Sequence, residues 1–115
     1  MRRGEIRLVD LDPTRGSEAA KLRPAVVVSN DRANAAAART GRGVVTVVPV
    51  TSNVSRVHPF QVLVPQAGSG LRADSKAQAE QVRSVSVDRL GHALGRVPAG
   101  VMAELDAALR LHLAL

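Results

Sequence analysis

Few side chains in this sequence suit covalent or metal chemistry, and they restrict the reactions open to it. Cysteine is absent, which excludes a disulfide framework, a thiolate metal site and a cysteine nucleophile. The histidines stand apart at positions 58, 92 and 112, without the spacing of a metal site or a triad, so His92 and His112 are expected to be structural. Arginine supplies fourteen of the sixteen cations; its guanidinium fork suits phosphate oxygens, although a GC-rich genome produces the same excess.

The charge is strongly positive and unevenly distributed. The net charge is +6 and the isoelectric point is about 11.4. Residues 1–60 carry ten Lys or Arg against five Asp or Glu, whereas the remaining 55 residues carry six against five. This balance favours a polyanionic partner, either a nucleic acid or an acidic protein, and places the electropositive surface mainly in the first half.

Length and hydropathy predict one domain over residues 1–115 with an aliphatic core. Ala, Val and Leu supply nearly all of the 45% hydrophobic residues, and Phe60, which stands without any Trp or Tyr, is expected in that core. No apolar run approaches the roughly 18 residues of a membrane span, and no apolar stretch follows the first arginines as in a signal peptide. We therefore expect a cytoplasmic protein without membrane contact.

Runs of β-forming residues between turn residues predict a mainly β fold with short helices. Pro49 is expected at a bulge or an unpaired edge, because proline cannot donate to a ladder. Residues 76–85 fit a strand or a helix, and we favour a strand. The other predicted strands cover residues 5–10, 24–29, 44–52, 58–65 and 91–97.

One long loop and two helices complete the predicted organisation. Residues 12–22 hold Pro, Gly, Ser and mixed charges, which indicates a surface loop. An Ala-rich run capped by Asn30 predicts a helix over 30–39. A terminal helix from Pro98 onward is predicted by a stripe at helical spacing, formed by Val101, Met102, Leu105, Leu109, His112 and Leu113. Because the predicted strands outnumber the predicted helices, the pattern indicates a compact β-barrel rather than βαβ units.

Several segments, in order across almost the entire chain, resemble the MazF/PemK/Kid family of toxin endoribonucleases. The matching residues are 3–6, 9–13, 16–18, 23–29, 48–52, 59–62 and 80–85, and they include RPAVVVS, VPVTS and EQVRSV. The resemblance implies an SH3-like (CcdB/PemK-type) β-barrel with a C-terminal helix, and a homodimer. It also implies sequence-specific cleavage of single-stranded RNA without a metal or other cofactor, leaving 2′,3′-cyclic phosphate and 5′-hydroxyl ends. The implied partner is an acidic, MazE-like antitoxin peptide across the RNA groove, with DNA contact only through that complex.

By similarity, Arg23 and Thr51 occupy the family's catalytic positions. A guanidinium can stabilise the phosphorane, and a hydroxyl can donate to or accept from a reacting group. Arg23 is normally too basic to act as a base, so charge stabilisation is its expected role. Taken alone, Arg23 fits equally a carboxylate partner at the start of a strand, and Thr51 an ordinary strand residue.

Eight further positions are predicted to contact RNA. Glu18 matches a loop acid of the family, which would orient Arg23 or accept from a base edge. Glu80 falls where some members carry an Asp proposed as the general base; Gln78 replaces the Arg that precedes that Asp, which argues against this version of the mechanism. As ordinary residues, these would be solvated charges or strand faces. The full set is Glu18, Lys21, Ser52, Asn53, Gln78, Glu80, Gln81 and Arg83.

Two other functions fit part of this pattern. A CcdB-like gyrase poison shares the barrel but relies on a C-terminal Trp, which is absent here. A non-catalytic RNA-binding autoregulator would keep a basic groove without needing both Arg23 and Thr51. Arg7 and His58 stand where relatives commonly carry aromatic residues, so base recognition is expected to depend more on Arg stacking and hydrogen bonds.

Overall fold

The computed structural model describes all residues, 1–115, and the fold is mainly β. Seven antiparallel strands form one sheet in the order β4-β5-β3-β2-β1-β7, and β6 pairs with β3 beside this path. The strands are β1 Glu5–Asp10, β2 Leu22–Val27, β3 Val44–Thr51, β4 Gln61–Val64, β5 Ser75–Gln78, β6 Arg83–Ser86 and β7 Leu90–Arg96. Helix α1 spans Asp31–Thr40 and α2 spans Ala99–Leu113, with 3₁₀ turns at Ala79–Gln81 and Val87–Arg89. The predicted mainly β fold with a C-terminal helix is confirmed.

Both faces of the central strands are buried, which explains the continuous valine runs. Side chains alternate between faces along a strand, so Val26 and Val27 belong to different hydrophobic clusters. The larger cluster is covered by α2, which contributes Leu105 and Ala108. The smaller cluster is covered by α1 through Ala37. Neither helix is long and apolar enough to cross a membrane.

Strand β3 changes its partner at Pro49. Val44–Val47 pair with β6, whereas Val50 and Thr51 pair with β5. Pro49 lies between these two ladders and keeps only Ala25 of β2 opposite it. The prediction that Pro49 sits where pairing is interrupted is confirmed.

The β4–β5 connection packs against β7 so closely that both sides require glycine. A Cβ at Gly70 would lie 2.0 Å from the Leu94 carbonyl oxygen, and a Cβ at Gly95 would lie 2.0 Å from that of Ser69. Gly70 also has φ +82°, in the left-handed region that favours glycine. This backbone contact joins β7 to the opposite side of the sheet and so brings distant segments to one end of the barrel.

Several sequence expectations need correction. The single strand at 76–85 is wrong: β5 and β6 occupy it, separated by a 3₁₀ turn, because they pair with different halves of β3. The strand at 58–65 is shorter, Gln61–Val64. Phe60 lies outside the core; it is half-buried and its ring stacks on His58 with centroids 5.2 Å apart. At the end of α2, His112 and Leu113 are exposed.

Candidate active site

The two predicted catalytic residues lie together where β2 begins and β3 ends. The register pairs Ala25 with Pro49, and continuing it by two residues sets Arg23 opposite Thr51. Directly opposite residues in an antiparallel ladder share a face, with Cβ atoms about 4.5–5.5 Å apart. Arg23 and Thr51 both line one cavity of about 630 Å³. The fold therefore gives these two side chains a common space.

Arg23 is half-buried and its charge is not neutralised by the protein. Its Nε donates to the Ala20 carbonyl at 2.7 Å, which orients the guanidinium. The two ion pairs of the molecule, Arg3–Asp106 and Arg7–Glu5, do not involve it. The alternative of a carboxylate partner for Arg23 is therefore wrong, and its terminal nitrogens keep donors for an anionic ligand.

Thr51 is the last residue of β3 and leads into the β3–β4 loop, defined here as residues 52–60. Its hydroxyl oxygen accepts a hydrogen bond from the Asn53 backbone N–H at 3.2 Å, so the hydroxyl hydrogen remains free to donate. Asn53 in turn accepts from the Ser55 hydroxyl at 2.8 Å. Ser52 is exposed and lines the cavity. Thr51 and Ser52 thus form a polar edge of the cavity, and Asn53 follows them in the loop outside the lining.

The β1–β2 loop, residues 11–21, is anchored by two of the predicted RNA-contacting residues. The Gln81 amide accepts from Ala19 N–H and donates to the Ser17 carbonyl, both at 2.9 Å. Arg83 donates to the Leu11 carbonyl at 3.1 Å. These bonds use both ends of the Gln81 amide and part of the Arg83 guanidinium. Both residues therefore hold the loop, and Arg83 keeps further donors.

The remaining predicted contacts divide between the loop surface and a buried cluster. Glu18 is exposed and accepts from the Arg15 backbone N–H at 2.6 Å rather than orienting Arg23. Lys21 is exposed, in a left-handed conformation with φ 71°. Glu80 accepts from the Gln61 amide at 2.6 Å, while its other carboxylate oxygen and the Gln78 amide oxygen are buried without a partner. Gln78 and Glu80 do not line the cavity.

Two cavity residues were missed by sequence reasoning. His92 of β7 is exposed and lines the cavity with Arg23 and Thr51, a position that the expectation of a structural His92 did not include. Arg72, from the β4–β5 connection, adds a second guanidinium. No periodicity pointed to either, because they reach the site only through the contact between Gly70 and β7. No three His, Asp or Glu side chains are arranged to hold a metal ion.

Comparison with known families decides the classification. The family model of PemK-like, MazF-like toxins of type II toxin–antitoxin systems matches residues 2–113. The chain belongs to this family. The predicted MazF/PemK family is therefore confirmed, and with it the predicted class of enzyme, an endoribonuclease.

Individual members of the MazF family resemble the chain along its whole length. Endoribonuclease MazF9 of Mycobacterium tuberculosis (strain ATCC 25618 / H37Rv) is 65% identical over 115 residues, which cover 100% of this chain and 98% of that protein. The crystal structure of MazF from Deinococcus radiodurans superposes with a TM-score of 0.82 at 28% identity, covering 100% and 97% of the two chains. A MazE–MazF crystal structure from the same organism gives 0.73 at 26% identity, covering 100% and 96%.

Proposed function

We propose that the chain is a sequence-specific, metal-independent endoribonuclease that cleaves single-stranded RNA in the cavity shared by Arg23 and Thr51. The observation that carries this proposal is the cross-strand placement of an unneutralised guanidinium beside a hydroxyl that is free to donate. A non-catalytic RNA-binding module would need neither arrangement. The aliphatic part of the lining, including Leu8, Leu71 and Leu94, suits the apolar faces of a nucleotide.

The proposed reaction is an internal transesterification. The ribose 2′ oxygen attacks the adjacent phosphorus, an O2′–P bond forms, and the P–O5′ bond breaks. Arg23 stabilises the charge on the phosphorane through its terminal nitrogens, and the Thr51 hydroxyl donates to a phosphoryl oxygen. The products are a 2′,3′-cyclic phosphate and a 5′-hydroxyl, with no oxidant, water or metal consumed.

Proton transfer in this scheme is assigned to His92. The 2′-hydroxyl must lose a proton during attack, and His92 supplies the only imidazole of the cavity, a side chain whose ring nitrogen can accept a proton. The other charged groups lining the cavity are Arg23 and Arg72, and Arg7, ion-paired with Glu5, donates to the Gly91 carbonyl beside His92. His92 accepts the 2′ proton, and the departing 5′ oxygen takes a proton from solvent.

RNA recognition is assigned to the surfaces beside the cavity. Ser52 and Asn53 would contact the nucleotide next to the cleaved bond, and exposed Lys21 would contact a phosphate. Glu18 would accept from a base edge. We assign no direct RNA contact to Gln78 and Glu80, because their partnerless acceptor oxygens are buried and neither residue lines the cavity. Gln81 and Arg83 would act by holding the β1–β2 loop against the RNA.

The proposal extends to the partners of the toxin. An acidic antitoxin segment would occupy the basic site and compete with RNA, as the type II family and the MazE–MazF structure suggest. A second copy of the chain would cover the exposed leucines at the end of α2, Leu111, Leu113 and Leu115, to form a homodimer. The toxin would act in the cytoplasm, where RNA and antitoxin both occur.

The decisive experiment maps the ends of a defined RNA cut by the purified protein in excess EDTA. We expect cleavage to persist, with a 2′,3′-cyclic phosphate on one fragment and a 5′-hydroxyl on the other. Loss of activity in EDTA with recovery in Mg²⁺ contradicts metal independence. A 5′-phosphate contradicts attack by the 2′ oxygen, because water would then be the nucleophile.

A further inference from the structure

Lys76 on β5 is the one buried charged residue of the protein. Its side chain and backbone together are 8% exposed, whereas every other Lys, Arg, Asp and Glu is half-buried or exposed. No carboxylate pairs with it, since the two ion pairs lie elsewhere. An ammonium removed from water is costly unless hydrogen bonds compensate it, so its retention calls for a specific partner.

That partner is the middle of the β3–β4 loop. The Lys76 ammonium donates to the Arg56 carbonyl oxygen at 2.5 Å. Residues 52–57 are all exposed, and the loop is otherwise tied near its far end, where the Gln61 side-chain oxygen accepts from the His58 backbone N–H at 3.1 Å. Apart from the Thr51 hydroxyl, which accepts from Asn53 N–H two residues on, the contact to Arg56 is the one side-chain bond from the sheet to this exposed stretch.

The strand register places Lys76 beside the proposed catalytic pair. Thr51 pairs with Lys76 across β3 and β5, just as the extended β2–β3 register sets Arg23 opposite Thr51. The three residues form a cross-strand row on one face of the sheet, with strands about 4.8 Å apart. Lys76 is buried and does not itself line the cavity.

We infer that Lys76 is a positioning residue: its ammonium clasps the Arg56 carbonyl and so holds Ser52 and Asn53 in place beside Thr51. The clasp acts through the loop and not through the RNA phosphate, since the residue is buried and its ammonium is directed at a backbone oxygen. The structural half of this inference stands on the hydrogen bond alone. The effect on RNA cleavage rests on the proposed function.

Limited trypsin digestion measures the clasp directly, because Arg56 supplies both the trypsin-recognised side chain and the carbonyl that Lys76 holds. Lys76→Met keeps the apolar stem and removes the donor. We expect cleavage after Arg56 to accelerate about 10-fold or more, as when a hydrogen bond to a charged group is lost from a local opening equilibrium. Cleavage after Arg15, in the other loop, should change less than about twofold. Equal acceleration at both sites, or none at Arg56, overturns the inference.

The RNA assay separates positioning from phosphate contact. In Lys76→Met we expect kcat to fall about 10-fold with KM nearly unchanged. The slope of log RNA affinity against log salt concentration should also stay nearly unchanged, because each lost phosphate contact would lower that slope by about one. A slope lowered by about one, with trypsin cleavage unchanged, would show that Lys76 binds phosphate and overturns the clasp.

A conservative variant guards against a folding defect. Lys76→Arg keeps a long donor, so both the slow cleavage after Arg56 and the RNA cleavage rate should be largely restored relative to Lys76→Met. If Lys76→Met does not fold, Lys76→Arg decides alone: slow cleavage after Arg56 supports the clasp, and rapid cleavage with an unchanged melting temperature overturns it. An absence of ribonuclease activity in every variant, wild type included, contradicts the proposed function and leaves the trypsin result standing.

Discussion

The β1–β2 loop is tied to the rest of the barrel along its length, whereas the β3–β4 loop is held mainly at its middle and far end. Gln81 binds Ser17 and Ala19, Arg83 binds Leu11, and Arg89 donates to the carbonyls of Asp10 and Asp12. The β3–β4 loop depends on Lys76, on the bond between Gln61 and His58, and on local bonds within 51–55. The β1–β2 loop is thus braced by several side chains, whereas the middle of the β3–β4 loop is held by a single ammonium.

This difference suggests different tasks for the β1–β2 loop and the β3–β4 loop. Arg23 follows the braced loop and is oriented by the Ala20 carbonyl, so its guanidinium is in place before substrate arrives. Thr51 leads into the lightly held loop, which can adjust around a nucleotide at a small cost in stability. A substitution in or beside the β1–β2 loop should therefore change either the cleavage rate or the stability. A substitution in or beside the β3–β4 loop should change both.

The largest expected effect is that of Arg23→Ala. It should lower the cleavage rate by roughly 10²-fold or more, the range for loss of a preorganised transition-state donor, with a nearly unchanged melting temperature. Arg15→Ala, in the β1–β2 loop that precedes Arg23 and with no side-chain hydrogen bond, is the matched control and should cleave at nearly the wild-type rate. Equal losses in both variants would mean that general positive charge matters and Arg23 has no special role.

Thr51→Val should lower the rate by about 10²-fold. The structure makes this variant less clean than the sequence suggested, because the Thr51 hydroxyl also accepts from Asn53 N–H. Thr51→Ser restores the hydroxyl and should recover most of the rate and the loop geometry. If Thr51→Ser is as inactive as Thr51→Val, the hydroxyl is not the group that matters, and the β-branched packing is.

His92→Gln should lower the rate by about 10- to 100-fold, at the low end for a proton-transfer group because the exposed imidazole can be replaced by water. Cleavage rates of one defined RNA by wild type and variant measure this effect. A folded His92→Gln variant that cleaves at the wild-type rate would contradict the assignment of proton transfer to His92.

The smallest expected effects concern stability, and they compare the β1–β2 loop with the β3–β4 loop directly. Gln81→Ala removes both bonds to the β1–β2 loop and leaves the buried Ala19 N–H unpaired, which should cost about 1–3 kcal/mol of unfolding free energy. Asn53→Ala, in the exposed loop, should cost less than about 0.5 kcal/mol. Urea unfolding at constant m measures both. Equal losses of unfolding free energy in the two variants would contradict the distinction between a braced β1–β2 loop and a lightly held β3–β4 loop.

Local sequence signals predicted the elements that depend on local physics. The strand at 5–10 and the helix capped by Asn30 were predicted to within a residue, because alternation, capping and a closing Gly41 suffice to define them. Residues 76–85 were predicted wrongly because their alternation continues through a turn that only the partner change at Pro49 requires. Pro49 locally signals an interruption of pairing, but nothing local shows that two different strands pair on either side of it.

The candidate site shows the same division. Arg23 and Thr51 were predicted through a family resemblance; in the structure both line one cavity, and the β2–β3 register continued by two residues sets them opposite each other. His92 was predicted as structural because its place in the cavity depends on the packing of Gly70 against β7, a contact between segments distant in sequence. The role of Gln81 in bracing a loop depends likewise on a contact across 62 residues.

The central claim is that Arg23 and Thr51 serve one reaction, and a double-mutant cycle tests it most directly. Cleavage rates of one defined RNA and melting temperatures are measured for wild type, Arg23→Ala, Thr51→Val and the double variant. Groups that act as a unit give a double variant little slower than the poorer single variant. Losses that multiply, or folded single variants with nearly wild-type rates, would contradict the assignment of this pair as the catalytic site.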